Sequence, residues 1–164
     1  MKLEKQILDL LKKDSRLSHR EISVRLGANE SEISSLVKRL EEDGVIARYS
    51  IIINEDKYEG GNEKVRALIE VQVKPEGGLG FENVAKRVSQ FSNVVDHYLL
   101  SGTYDFLIVV EGDHIQEVSS FVSGKLSSID NIKGTVTHFI LKKYKVNGAI
   151  LDPSDSSSRL LVSP

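Results

Sequence analysis

Apolar positions recur every third or fourth residue through the first fifty residues, then every second residue through most of the remainder. Leu3, Ile7, Leu8 and Leu11 form one helical stripe, which Asp14-Ser15-Arg16 interrupts. Ser18-His19-Arg20-Glu21 has the form of a capping box ahead of Ile22 and Leu26, and Gly27 stands where a left-handed residue ends a helix. Asn29-Glu30-Ser31-Glu32 has the form of a second box, followed by Ile33, Leu36, Val37 and Leu40, with Gly44 closing the run. Three short helices with a tight Gly-containing turn between the second and third predict a helix-turn-helix. Val45, Ala47, Tyr49, Ile51 and Ile53 then alternate with Arg48 and Ser50, which predicts a wing strand directly after the third helix.

The segment 54–64 is polar, contains Gly60-Gly61 and reads as a linker. Beyond it Val65, Ala67, Ile69, Val71 and Val73 alternate along a strand that ends before Pro75. Gly77-Gly78-Leu79-Gly80 reads as a loop, since it lacks the Gly-Lys-Ser/Thr that completes a phosphate cradle. Phe81, Val84, Ala85 and Val88 mark a helix, and 94–101 a strand. The plan then repeats: a strand at 106–111, a helical stripe of Ile115, Val118, Val122, Leu126 and Ile129, and a last strand at 135–143. Two β-α-β units joined by the turn Ser101–Asp105 make βαββαβ, a ferredoxin-like sandwich. The predicted class is α+β, with a winged helix-turn-helix at 1–53, a linker at 54–64, a ferredoxin-like domain at 65–145 and an extension at 146–164. In the extension, the Ser-rich 154–158 reads as a flexible tail and Leu160–Val162 as a short strand for docking on a neighbour. The third strand is apolar on both faces, Phe106, Ile108 and Val110 on one and Leu107 and Val109 on the other. With helices on one side only, this predicts that a second copy covers the other.

Charge adds little. The net charge of −2 does not point to nucleic acid, and residues 1–50 carry ten Lys and Arg against nine Asp and Glu. Zero Cys removes disulfides, thiolate zinc sites and Cys nucleophiles. The longest apolar runs, 106–110 and 51–53, are far short of a membrane span, and the N-terminus lacks a signal-peptide core. A soluble cytoplasmic protein with no metal or cofactor is expected. The exposed face of the third helix should carry any DNA readout, with Asn29 as its N-cap. Ser31, Ser34 and Ser35 suit base edges or phosphates, and Lys38 and Arg39 suit phosphates. Arg16, Ser18, Arg20 and Arg48 lie on the flanking elements. Taken singly, each of these reads first as a solvated surface group. Glu30 and Glu32 oppose phosphate, so modest affinity per domain and at least a dimer are expected. Of the four histidines, His19, His97, His114 and His138, none forms a metal-type pair, and Asp96 and His97 point to opposite faces of a strand.

Several separated stretches resemble the leucine-responsive and asparagine-regulator (Lrp/AsnC) family of transcription factors over residues 1 to 145. They are Ile7-Leu8-x-x-Leu11 with Ser15-Arg16-Leu17-Ser18, then Leu26-Gly27, then Val37-Lys38-Arg39-Leu40-Glu41-Glu42-x-Gly44-Val45-Ile46. In the second half they are the G-x-x-D turn within Ser101-Gly102-Thr103-Tyr104-Asp105 and the T-x-T of Thr135-Val136-Thr137. The resemblance implies DNA binding, dimers that often assemble into octamers, and a small effector, usually an amino acid, held between dimers. It places that effector at Leu100, Gly102, Thr103, Tyr104 and Asp105 with Thr135 and Thr137. Asp105 would meet an ammonium group, and the Thr hydroxyls and turn amides a carboxylate. The bland reading of Gly102 and Asp105 is that they shape a tight turn. The chain departs from the family at Asn29-Glu30, where many members have Ser-Pro, and at Ser34-Ser35-Leu36, where many have arginine. Two other readings stay open: an amino-acid-responsive assembly module without DNA binding, and a sirohaem-decarboxylase-like enzyme, although no basic cluster adjoins His97 or His138.

Overall fold

In the computed structural model, residues 2–59, 64–74 and 80–151 are described. The loop expected at 77–80, except Gly80, which begins a helix, lies outside them, as do the Gly60-Gly61 of the linker, the Ser-rich tail and Leu160–Val162. The chain divides into two compact units, Met1–Ile52 and Ile53–Pro164.

The first unit holds α1 (Lys2–Lys13), α2 (His19–Leu26) and α3 (Glu30–Glu42). Ile7, Ile22, Ile33 and Val37 form its core, with Leu3, Leu10, Leu11, Leu17, Leu26 and Leu36 packed against them. Leu10 takes the core place that the predicted stripe assigns to Leu8. The Ser18 capping box is complete: Glu21 N–H donates to Ser18 Oγ at 3.2 Å, and Ser18 N–H donates to Glu21 Oε2 at 2.8 Å. The second predicted box is corrected to a simple cap, because Asn29 Oδ1 accepts from Ser31 N–H at 2.9 Å and Glu32 makes no return bond. Gly27, at φ 62°, ends α2 with its N–H on the Ser23 carbonyl.

The wing strand expected over 45–53 does not form as a strand in this chain. Tyr49 donates to Glu41 Oε1 at 2.8 Å, but Ile51, Ile52 and Ile53 lie exposed with no ladder partner among the described residues. Alternation supplies side chains suited to a sheet, whereas the sheet itself needs a second strand.

Ser18→Ala is expected to destabilise the first unit by about 1 kcal/mol. The Ser18 hydroxyl, and after it the Ser18 backbone N–H, hold the Glu21 carboxyl below its ordinary pKa. A depressed carboxylate stabilises fully above the ordinary carboxylate range and loses that contribution as pH falls through its lowered value. The substitution should therefore move the acid-unfolding midpoint of the first unit to higher pH, as followed by circular dichroism.

The second unit begins with a 3₁₀ turn (Glu55–Lys57), followed by β1 (Val65–Val73), α4 (Gly80–Ser89), β2 (Val94–Leu99) and β3 (Phe106–Gly112). Next come α5 (Ile115–Ser120), β4 (Ile132–Phe139) and a small hairpin of β5 (Lys145–Val146) and β6 (Ala149–Ile150). The antiparallel sheet runs β2-β3-β1-β4, with β1 and β3 central as their apolar pattern requires. Ala67, Ile69, Val71, Phe106, Ile108 and Val110 pack beneath Val84, Val88, Val118, Phe121 and Leu126 of the helical layer.

Three expectations change in detail. After Ser120 the helix widens to a π-helical turn over Phe121–Leu126, so that Ser127 N–H reaches the Val122 carbonyl, five residues back, at 2.9 Å. Ile115 then lies 53% exposed instead of joining the stripe. The last strand starts at Ile132, after Asn131 turns the chain at φ 74°, and ends at Phe139 instead of Lys143. The segment after 145 does not leave the fold at once: Asn147 and Gly148, both at positive φ, make the turn of the β5–β6 hairpin.

Candidate functional site

On α3 the buried side is Ile33, Val37 and Leu40, which leaves Ser31, Ser35 and Lys38 on the outward side and Ser34 half-buried at its margin. The two cations of this helix are both engaged. Lys38 Nζ lies 3.7 Å from Glu42, and Arg39 pairs with Glu4 on α1. Arg16 is tied to Asp14, its Nε 3.1 Å from Oδ1, just before α2. Ser18 is spent on the cap of α2, and Arg48 stands exposed beyond α3. Residue composition does not reveal that the carboxylates sit this close to the cations. All these pairs are exposed, so little energy holds them.

In the second unit the turn between β2 and β3 folds onto the end of β1. Asp105 N–H donates to the Val71 carbonyl at 3.0 Å, Leu100 N–H donates to the Asp105 carbonyl at 2.8 Å, and Val73 N–H donates to Asp105 Oδ2 at 2.7 Å. Asp105 therefore shapes the turn, while its Oδ1 carries no hydrogen bond among the described residues. Gln72 Nε2 donates to the Thr103 carbonyl at 3.2 Å, and the Glu70 carboxylate beside the Tyr104 hydroxyl raises the Tyr104 pKa. Gly102, at φ 153°, and Leu100 are exposed.

Register decides which β4 residues can meet this turn. Thr135 and Thr137 stand opposite Val71 and Ile69, so they share the face covered by the helices. Val136 and His138 share the open face with Glu70 and Gln72, and His138 Nε2 lies 3.5 Å from Glu70. Within one chain, then, the structure gathers Gly102, Thr103, Tyr104 and Asp105, and it separates them from Thr135 and Thr137 by the width of β1. Glu70 and Gln72 adjoin this turn, with His138 beside Glu70, and none of the three is among the residues expected there.

The open face also carries Leu68, Leu107, Val109 and Val136. His97 lies on the opposite face, with Nδ1 3.1 Å from Ser89 Oγ and its ring against Phe106; burial lowers its pKa. A cleft of about 200 Å³ opens elsewhere, between Asn54–Asp56, Lys64, Arg66, 140–143 and Leu151. Lys143 pairs with Glu55 there, and Arg66 with Glu111. No group of three potential metal ligands occurs among the described residues, and no helix there is long and apolar enough to cross a membrane.

A helix-turn-helix unit followed by an antiparallel α/β unit with a polar turn at its sheet end defines a DNA-binding regulator with a ligand-binding domain. A sequence model described as winged helix-turn-helix DNA-binding matches residues 2–47, and one described as Lrp/AsnC ligand binding domain matches residues 66–150. The chain belongs to the Lrp/AsnC family. It is 40% identical over 161 residues to the uncharacterized HTH-type transcriptional regulator YugG of Bacillus subtilis, covering 98% of this chain and 96% of that one. It is 31% identical to the HTH-type transcriptional regulator FL11 of Pyrococcus furiosus, covering 87% of this chain and 90% of that one. Among solved structures, the complex of the transcriptional regulator NMB0573 with L-Met from Neisseria meningitidis aligns with a TM-score of 0.68 at 25% identity, over 89% of this chain and 92% of that one. AsnC of Escherichia coli, at 21% identity and a TM-score of 0.66 over 89% and 95% of the two chains, shows the shared fold. The chain is thus a transcriptional regulator and not an enzyme, which sets the decarboxylase reading aside.

Proposed function

We propose that the ligand is an amino acid held between copies of this chain, and that its binding shifts the assembly which occupies DNA in the cytoplasm. The observation that carries this reading is the division of the expected site. Thr103 and Tyr104 meet Gln72 and Glu70 of the open face, whereas Thr135 and Thr137 share the covered one, which favours a pocket that draws these two groups from different copies. The apolar open face of Leu68, Leu107, Val109 and Val136 gives that second molecule a surface to bury, as a dimer that can build further toward an octamer. The relative crystallised with L-Met supports an amino acid as the ligand class. Asp105 Oδ1 faces the ammonium group, and the Thr hydroxyls and turn amides take the carboxylate. On DNA, Lys38, Arg39, Arg16 and Arg48 neutralise phosphates, and Ser18, Asn29, Ser31, Ser34 and Ser35 approach backbone and base edges.

The test is a gel shift on the chain's own upstream region at two salt concentrations, with and without a pool of amino acids. Saturable binding that weakens with salt and changes with the pool is expected. Asp105→Asn should keep the thermal midpoint, because an amide oxygen still accepts the Val73 N–H, yet lose the response to the pool. Asp105→Ala should lose both. A pool response that survives Asp105→Asn removes Asp105 from the ligand site. Absence of DNA binding at low salt favours the assembly module.

A further inference from the structure

The outward line of α3 offers hydrogen-bond acceptors and few free donors. At about 3.6 residues per turn, Ser31, Ser35, Lys38 and Glu42 stack on the side opposite Ile33, Val37 and Leu40. Both hydroxyls have committed their protons within the protein. Ser31 Oγ donates to Asn29 Oδ1 at 2.8 Å, and Ser35 Oγ donates to the Ser31 carbonyl at 2.9 Å. The Asn29 amide can stand only this way round, because its oxygen also accepts the Ser31 backbone N–H at 2.9 Å. What each hydroxyl turns outward is therefore its lone pairs. Lys38, the cation on this line, is matched by Glu42 at 3.7 Å.

We propose that Ser31 and Ser35 read DNA as acceptors, selecting bases that carry a major-groove amino group on the contacted strand. Those bases are adenine, through N6, and cytosine, through N4; guanine and thymine present acceptors at the corresponding edge. Donation to guanine would require Ser35 to break its bond to the Ser31 carbonyl in every complex. A single acceptor does not separate adenine from cytosine, so the contacted position is two-fold degenerate, amino against keto. The inference rests on DNA binding through α3, with the N-terminal turns of that helix nearest the bases.

The experiment is selection of duplexes from a randomised library by the full-length chain, followed by titration of the best duplex. At least one position of each half-site should be restricted to A or C on one strand. Ser35→Ala, which suits an exposed helix position and keeps the fold, should abolish that restriction and weaken binding about 3- to 10-fold, leaving the other positions unchanged. Replacing the contacted adenine with a purine that lacks the 6-amino group should weaken wild-type binding by the same factor and leave Ser35→Ala unaffected. A Ser35-sensitive position that takes G or T overturns the inference, as does a Ser35→Ala chain with unaltered preferences. Failure of the wild-type chain to retain even mixed-sequence duplex at low salt overturns DNA binding through α3 as well, and so is told apart from failure of the inference alone.

Discussion

Alanine at both Lys38 and Arg39 is expected to lower affinity for duplex DNA roughly 10- to 50-fold near 0.1 M salt and to reduce the slope of log affinity against log salt by about 2. Each phosphate neutralised by a cation releases a counterion, and two such contacts are removed together. The lower part of that range reflects the ion pairs of α3: Lys38 meets Glu42 and Arg39 meets Glu4, so each cation gives up a carboxylate before it meets a phosphate. These pairs are exposed and screened by solvent, too weak to withhold the cations. Glu42→Gln should act in the opposite sense and raise affinity about 2- to 3-fold by leaving Lys38 unopposed. Titrations of wild type, the double variant and Glu42→Gln at three salt concentrations check both. An unchanged slope in the double variant would mean that neither side chain touches the backbone of DNA.

Ile108→Ala is expected to cost the second unit about 2–5 kcal/mol, a large share of the stability of any small domain. Ile108 is fully buried on β3, opposite Ile69 on one side and His97 on the other, and it packs into the cluster that joins the sheet to α4 and α5. Its removal leaves a cavity that a central strand, held by ladders on both edges, cannot close. Because Ile7, Ile22, Ile33 and Val37 form a separate core, the loss should fall on one unit. Calorimetry should show the transition of the second unit moving down in temperature while that of the first stays in place. A common shift of both would show the two cores to be thermodynamically coupled.

Much of this fold is legible along the chain. The alternation of Val65–Val73 and the continuous apolar run of Phe106–Val110 name the two central strands, and Ser18-x-x-Glu21 places the start of α2 to the residue. Other features depend on information that a one-dimensional pattern lacks. The residues 45–53 have the chemistry of a strand, but pairing depends on a neighbour that the described residues do not supply. Thr135 and Thr137 alternate with Val136 and His138 as clearly as any strand, yet alternation gives two faces without saying which is which. That is decided by the register Thr135↔Val71, and so by a contact 64 positions away in sequence. Gly112 likewise reads as a strand end. Its reason emerges only in three dimensions, where a Cβ would stand 3.1 Å from Glu117 Oε2 and Val118 Cγ2. The β5–β6 hairpin is a different case, since Asn147-Gly148 between Val146 and Ala149-Ile150 is a strong local turn signal. The polar residues around it favour the reading of a tail.

That hairpin returns the chain to where the second unit began. Leu151 N–H donates to the Tyr144 carbonyl at 2.9 Å, and the Leu151 carbonyl accepts from Asn54 Nδ2 at 2.6 Å. The chain at Asn54 and at Leu151 is thus clasped side by side, and Lys143 on Glu55 adds a second tie beside the first. A segment closed on itself in this way is topologically a loop: it can be opened at another surface turn and rejoined across Asn54 and Leu151 without stretching its core. Tension applied across Asn54 and Leu151 would load that clasp before it reached the β1 ladder, so the first step of mechanical opening would leave the four-stranded sheet intact.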